Sequence, residues 1–186
     1  LRLLNLINQI LEFRKTETQN KKLCVCKGNL TPLIYEIGLK YKELNQKPKI
    51  DFRIQTEKEE MLLFFDKEII TIILDNLISN AIKYTEQGRV TLSLCQTTRN
   101  EVSYTEIKVS DTGYGISAEA LPHIFDRYYQ ESGKHQASGT GIGLALVRNL
   151  VELHEGDIRV ESTPNEGSTI YISLLTDNIY PNALHT

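Results

Sequence analysis

Few residues in this chain can form cross-links or hold a metal ion. The 186 residues include no tryptophan, one methionine and three cysteines, an odd and sparse set. Cys24 and Cys26 alternate on one face of what reads as a strand, and no histidine cluster accompanies them. A disulfide framework is therefore not indicated, nor is a zinc site, which normally has about four ligands. We expect reduced cysteines in a cytoplasmic protein, with a CxC metal or redox pair as the alternative.

Long apolar runs and an excess of one charge are also missing. The longest apolar runs, at 61–65 and 69–74, are far shorter than the roughly 20 residues that a membrane-spanning helix needs. The 21 basic and 24 acidic residues are interspersed, with a net charge of -3, so we expect no nucleic acid partner. No signal-peptide pattern is present and the first residue is Leu1, so we expect a piece of a longer protein.

Patterns typical of helices and strands fill most of the chain. Leu4, Ile7 and Leu11 recur at helical steps in residues 1–17, which predicts a helix that packs on a partner or continues as a coiled segment. The alternative is an ordinary surface helix on the main core. Helical patterns also cover 31–45, with Thr31 as the N-cap, 66–85, with Asp66 as the cap, and 141–154. Strand patterns cover 22–27, 49–56, 61–65, 89–96, 103–110, 157–162 and 168–175.

This order of elements predicts an α/β, or α+β, two-layer sandwich. A mixed sheet would be covered on one face by about three helices, with the first helix as an N-terminal stub. Residues 176–186 carry turn residues without periodicity, as a linker or tail would.

Polar side chains share one face of the helix predicted over 66–85. Asn76, Asn80, Lys83 and Tyr84 fall at helical steps, opposite an apolar stripe. Two amides, an ammonium group and a phenol ring suit a charged, planar ligand, and amide oxygens suit Mg²⁺. A simply solvated face is the alternative.

Two glycine-rich segments follow. In 111–116, Asp111 ends a strand and could accept hydrogen bonds from an exocyclic amine, while Gly113 and Gly115 permit a tight turn or the close approach of a ligand. In 139–144, glycines enter a helix directly, and the N–H groups of such a helix start suit phosphates. The second segment lacks the Lys-Ser/Thr ending of a P-loop and the spacing of a dinucleotide motif. Either segment alone could be an ordinary turn.

Taken in order, these segments resemble the N, G1, F and G2 boxes of histidine kinases. The N box matches 76–84, the G1 box 111–116, the F box 124–129 and the G2 box 139–144. Gly167-Ser168-Thr169 looks like a remnant of the last glycine box, and the resemblance covers 21–175. It implies the GHKL, or Bergerat, ATP-binding fold, with a lid over 131–138.

The resemblance also implies roles for individual residues. Asp111 would accept from the adenine amine, with Thr169 assisting through water, and Asn80 would be the metal ligand for Mg²⁺. The implied catalytic residues are Asn76, Asn80 and Lys83. Lys83 and the amides of 141–144 would hold phosphates, Tyr84 would pack near the base, and Arg127 would reach a phosphate. The implied ATP-binding residues are Asn80, Lys83, Tyr84, Asp111, Gly113, Gly115, Ile116, Arg127, Tyr128, Gly139, Thr140, Gly141, Ile142, Gly143, Leu144 and Thr169.

Two features bear on the reaction. ATP-hydrolysing relatives have a glutamate where this chain has Asn76, and an amide cannot act as a general base, which favours transfer to a protein over hydrolysis. The four histidines, His123, His135, His154 and His185, all lie outside the early helix and outside an acceptor motif. We therefore expect the phosphoacceptor histidine upstream of Leu1.

The expected setting is the cytoplasmic domain of an inner-membrane sensor. Residues 1–20 resemble the end of a dimerisation-domain helix, most of all that of hybrid two-component sensors of the Bacteroides type. The implied partners are the dimerisation and phosphoacceptor domain of the same protein, a response-regulator receiver domain and, in the parent, a second copy. The alternatives are a nucleotide-binding regulatory module without transfer activity, a GHKL ATPase and a serine kinase of the same fold.

Overall fold

The structure, a computed structural model, describes residues 2–129 and 142–186. The predicted site residues Gly139, Thr140 and Gly141 and the expected lid lie outside the described residues. The described chain forms the α-helices α1 (Arg2–Glu17), α2 (Leu30–Leu44), α3 (Lys67–Lys83) and α4 (Gly143–Leu153), with a 3-10 turn at Leu121–His123. Its strands are β1 (Cys24–Asn29), β2 (Ile50–Thr56), β3 (Leu62–Phe65), β4 (Gly88–Arg99), β5 (Val102–Asp111), β6 (Asp157–Thr163), β7 (Gly167–Leu175) and β8 (Leu184–His185).

The main sheet has five strands in the order β2-β4-β5-β7-β6. β2 and β4 are parallel, and the other neighbours are antiparallel. Along β4, Val90, Leu92 and Leu94 are buried and alternate with more exposed residues, because successive side chains of a strand point to opposite faces. The buried face carries α2, α3 and α4, so the predicted two-layer sandwich with a mixed sheet is confirmed.

A second, small sheet was not expected. β1 pairs antiparallel with β3 and parallel with β8, which gives the order β3-β1-β8. β8 belongs to the C-terminal segment, whose lack of periodicity is typical of a linker. In the structure this segment turns back onto the domain, and Tyr180 is completely buried. Its hydroxyl lies 3.1 Å from Nδ1 of His154, the C-cap residue that follows α4.

The N-caps of α2 and α3 are well defined. Asp66 caps α3 as predicted, since its Oδ1 accepts from the Ile69 N–H at 3.1 Å. The prediction of Thr31 as the cap of α2 was wrong, because Asn29 caps that helix and accepts from the Thr31 N–H at 3.2 Å. The Asn29 amide also accepts from the Met61 N–H at 2.8 Å, so one side chain links the helix start to the segment before β3.

α1 packs on α4, with Phe13 buried at the contact. The Asn149 amide donates to the Thr16 hydroxyl at 3.1 Å, which ties the two helices together. The opposite side of α1 exposes a stripe of leucine and isoleucine side chains, namely Leu3, Leu4, Ile7, Ile10 and Leu11. Among the described residues, no helix combines the length and the apolar character required to cross a membrane.

Candidate nucleotide-binding site

The second half of α3 carries the first group of predicted site residues. Asn76 is buried, Asn80 and Lys83 are half-buried, and Tyr84 is more exposed. The Lys83 ammonium lies 5.3 Å from the centroid of the Tyr84 ring, within the range of a cation–π contact. The helix thus presents an amide, a cation and an aromatic ring next to one another, as the spacing predicts.

Both ends of the Asn76 amide are engaged. Its Oδ1 accepts from Gln9 of α1 at 2.8 Å, and its Nδ2 donates to the Ile72 carbonyl one helical turn back at 2.9 Å. Gly143, the first residue of α4, lies against the same oxygen, since a Cβ placed there would come within 3.0 Å of it. Asn76 therefore lies where α1, α3 and α4 meet.

The loop after β5 packs tightly against the end of α3. A Cβ on Gly113 would lie 2.2 Å from the Tyr84 carbonyl oxygen, so only glycine fits there. The next residue, Tyr114, donates its N–H to that same carbonyl at 3.2 Å. Gly115 adopts a φ of 70°, and its missing Cβ would lie 2.1 Å from the Thr163 carbonyl oxygen. The glycines allow this loop to fit between α3 and the β6–β7 turn.

Asp111, at the end of β5, is held by backbone N–H groups. The Gly113 N–H donates to its Oδ1 at 2.9 Å. Burial raises the pKa of the Asp111 carboxyl, and the hydrogen bonds from the Gly113 and Ser168 backbones partly offset that effect. A largely buried carboxylate at the end of a strand can act as a specific acceptor for a ligand amine.

The register of β5 and β7 separates two residues of the last glycine segment. Ser168 is paired with Asp111, whereas Thr169 is paired with Ser110. Because side chains alternate along a strand, Thr169 lies on the opposite face of the sheet from Asp111, where its hydroxyl is 2.8 Å from that of Ser110. The structure therefore does not place Thr169 beside Asp111; Ser168 occupies that position.

The start of α4 supplies the third part of the site. Ile142 precedes the helix and is buried, and Gly143 and Leu144 form its first turn. No side chain within the described residues caps this helix start. Its N–H groups carry the partial positive charge of a helix N-terminus and suit an anion.

Arg127 and Tyr128 lie near α1. The Arg127 guanidinium donates to the Glu17 carboxylate, and this ion pair raises the pKa of Arg127. The same guanidinium lies 5.8 Å from the Phe13 ring centroid and 5.0 Å from that of Tyr128. The predicted phosphate-contacting arginine is thus paired with the N-terminal helix in this structure.

Sequence reasoning missed Gln9 and Ser168, which lie beside the predicted site residues Asn76 and Asp111. Gln9 gives no signal, because a single polar residue on an amphipathic helix normally faces solvent. Ser168 is next to Thr169, the residue that the resemblance implies, and only the β5–β7 register shows which of the two lies beside Asp111.

Comparison with known proteins identifies the family. The profile of the histidine kinase-, DNA gyrase B-, and HSP90-like ATPases matches residues 65–178, more than half of the chain. The chain belongs to this family and is a catalytic ATP-binding domain of the sensor histidine kinase type.

Two similar proteins are named as kinases of this type. Histidine kinase P4 of Formosa agariphila is 32% identical over 178 residues, which make up 92% of this chain and 13% of that protein. The autoinducer 2 sensor kinase/phosphatase LuxQ of Vibrio vulnificus is 35% identical over 177 residues, 92% of this chain and 21% of the relative. The chain therefore spans less than a quarter of the length of these relatives.

Solved structures agree on the fold. Full-length ShkA in complex with AMPPNP superposes with a TM-score of 0.79 at 23% identity, over 92% of this chain and 35% of that one. The catalytic domain of histidine kinase ThkA, in a nucleotide-free form, gives a TM-score of 0.69 at 26% identity, over 83% of this chain and 99% of that one. The predicted Bergerat fold is confirmed.

Proposed function

We propose that this chain binds ATP and serves a parent protein that transfers the γ-phosphoryl group to a histidine. One observation carries the proposal. Asp111 is a largely buried carboxylate fixed by the Gly113 N–H, and its loop contacts the end of the helix that bears Asn80 and Lys83. Such a carboxylate can accept from the adenine amine, which distinguishes adenine from guanine.

The remaining groups of the site match the rest of the nucleotide. Ser168, which shares the face of Asp111, is the hydroxyl that we assign to the base in place of Thr169. Lys83 and the start of α4 would bind the phosphates, and Tyr84 would pack near the base. ShkA, a protein of the same fold, was solved in complex with AMPPNP, which supports the proposal that this fold binds a nucleotide here.

Asn80 is the proposed magnesium ligand. Mg²⁺ takes most of its oxygen ligands from phosphates and water, so one amide oxygen on α3 fits it. The described residues include no group of three or more His, Cys, Asp or Glu side chains that could hold a metal ion by themselves. When bound with ATP, the ion would neutralise charge on the phosphates.

The acceptor histidine is proposed to lie in an upstream dimerisation domain, with an aspartate of a receiver domain as the next acceptor and a second copy in the parent. His154 is unsuited as an acceptor, because it is buried and both ring nitrogens are engaged. The names of the relatives, a histidine kinase and a sensor kinase/phosphatase that are both much longer than this chain, agree with such a setting.

Hydrolysis of ATP by this domain alone is disfavoured. The Asn76 amide cannot take a proton from water, and both of its ends already have hydrogen-bond partners. Steady release of phosphate by the isolated chain would instead favour the ATPase alternative.

The test is calorimetric titration of the chain with an ATP analogue plus Mg²⁺, and with the matching GTP analogue. We expect binding of the adenine nucleotide only, and its loss in Asp111→Asn, because the amide oxygen would keep the Gly113 N–H and the NH2 group would face the adenine amine. Asp157→Asn is the matched control, since Asp157 is exposed on β6 and should leave binding unchanged. Equal binding of both analogues, or unchanged binding in Asp111→Asn, would contradict the proposal.

A further inference from the structure

The loop between α2 and β2 brings a lysine to the end of α3. The Lys47 ammonium donates to three main-chain carbonyl oxygens there, those of Ile82 at 2.8 Å, Thr85 at 3.1 Å and Lys83 at 3.4 Å. The last carbonyls of a helix lack partners within the helix, and a cation at this end also interacts favourably with the helix dipole. Lys47 thus gives a partner to the last two carbonyls of α3 and to a third just beyond the helix.

The backbone of Lys47 is fixed by its own loop. Asn45 accepts from the Lys47 N–H at 3.0 Å and donates to the Lys47 carbonyl at 3.2 Å, so one amide holds both sides of the residue. Pro48 follows and restricts Lys47 to extended conformations. The Ile50 N–H donates to the Lys47 carbonyl at 3.1 Å, which anchors the loop to β2. Three hydrogen bonds therefore hold the backbone from which the Lys47 side chain projects.

The Tyr84 carbonyl is bonded from the other direction, by the loop of the proposed nucleotide site. Tyr84 lies between Lys83 and Thr85, and its carbonyl accepts from the Tyr114 N–H at 3.2 Å. Gly113, which precedes Tyr114, holds the Asp111 carboxylate. The end of α3 is therefore held by Lys47 on one side and by the glycine loop on the other.

We infer that Lys47 is a positioning residue for the nucleotide site, an inference that rests on the proposed ATP binding. Its ammonium donates to main-chain carbonyls of this helix end. It fixes the helix end from which Lys83 and Tyr84 project and against which the Asp111 loop packs. Without the ammonium, three carbonyls of that end lose a partner, and the last turn of α3 and the glycine loop can shift together.

The experiment compares three variants of the full chain. Lys47→Met keeps most of the aliphatic stem and removes the charge and the donors, whereas Lys47→Arg keeps both. Lys49→Met removes an equal charge from an exposed position in the same loop and is the matched control. Affinity for an ATP analogue plus Mg²⁺ is measured well below the melting temperature, where each variant is folded. Amide hydrogen exchange of Tyr84, Thr85 and Tyr114 is measured without nucleotide.

We expect Lys47→Met to weaken nucleotide binding about tenfold and to speed exchange at the three amides. Lys47→Arg should restore affinity to within about twofold of the parent chain, and Lys49→Met should match the parent. Unchanged affinity in folded Lys47→Met, or equal losses in the Met and Arg variants, would overturn the inference. If the parent chain itself bound no nucleotide, the proposed function would fail. Hydrogen exchange would then still show whether Lys47 holds this helix end.

Discussion

The contact between Tyr180 and His154 allows a quantitative test of how firmly the C-terminal segment is docked. The His154 Nε2 lies 2.9 Å from the Asp66 backbone nitrogen, whose N–H can only donate. Nε2 must therefore accept, so in the neutral ring Nδ1 carries the proton and donates to the Tyr180 oxygen at 3.1 Å. Burial and the nearby Glu155 charge raise the pKa of Tyr180 to about 12, so this oxygen remains a hydroxyl at neutral pH.

Tyr180→Phe removes this acceptor and little else. The ring remains, with its edge-on contact to His154 at a centroid distance of 5.3 Å. The substitution leaves a buried N–H without a partner, which costs about 2 kcal/mol. For a domain of this size, that loss lowers the melting temperature by about 4–8 °C. Tyr180→Ala also leaves a cavity and should cost about 3–5 kcal/mol.

The assay is thermal and urea unfolding at pH 8, followed by circular dichroism. Tyr35→Phe is the matched control, because the Tyr35 hydroxyl bonds Thr56 at 3.1 Å in an exposed position. Its loss should change the free energy of unfolding by less than about 0.5 kcal/mol. Equal stability of the parent chain and Tyr180→Phe would refute the docking of the segment through this hydrogen bond.

Three further predictions concern His154 and the proposed nucleotide site. Burial holds the pKa of His154 below its usual value of 6.5, so as pH falls below about 6.5 the unfolded chain takes up the proton first. His154 should therefore cost up to about 1.4 kcal/mol of stability per pH unit over that range. Urea unfolding between pH 7.5 and 5.5 would show this slope, and a slope unchanged in His154→Gln would assign it to other groups. Gly113→Ala should abolish binding of an ATP analogue in calorimetry and lower the melting temperature, because its Cβ would lie 2.2 Å from the Tyr84 carbonyl oxygen. Normal binding by this variant would contradict the packing of the loop. Lys83→Met should weaken an ATP analogue more than adenosine in the same titration, since an ammonium recognises phosphates, and equal losses would argue against that role.

Local signals in the sequence predicted the main elements well. Hydrophobic alternation marks β4, and Asp66 is a strong helix cap that precedes a long apolar pattern, so both are where the sequence places them. Asn29 shows the limit of such signals. It ends a strand and caps a helix at the same time, and the prediction placed the cap two residues later.

Long-range features could not be predicted in this way. The choice between Ser168 and Thr169 depends on the register of β7 against β5, which a one-residue slip would reverse. Buried Tyr180 contacts His154, which in turn accepts from the Asp66 N–H, and both of these residues are far from Tyr180 in sequence. Lys47 looks like an ordinary loop lysine until the end of α3 is placed beside it. The roles assigned to the nucleotide-binding side chains stay predictions.

Gln9, Phe13 and Glu17 follow one another at steps of four residues along α1, so they face the same side over about 12 Å of helix. Gln9 bonds Asn76, Phe13 is buried and Glu17 pairs with Arg127. A rotation of α1 about its axis by one residue, about 100°, would bring Ile10 and Arg14 to that side. The apolar side chain of Ile10 would then cover the Asn76 oxygen, and Arg127 would lose its ion pair with Glu17. All three contacts would break in one movement, without any change in the length of the helix, so together they fix the angle of α1 about its axis.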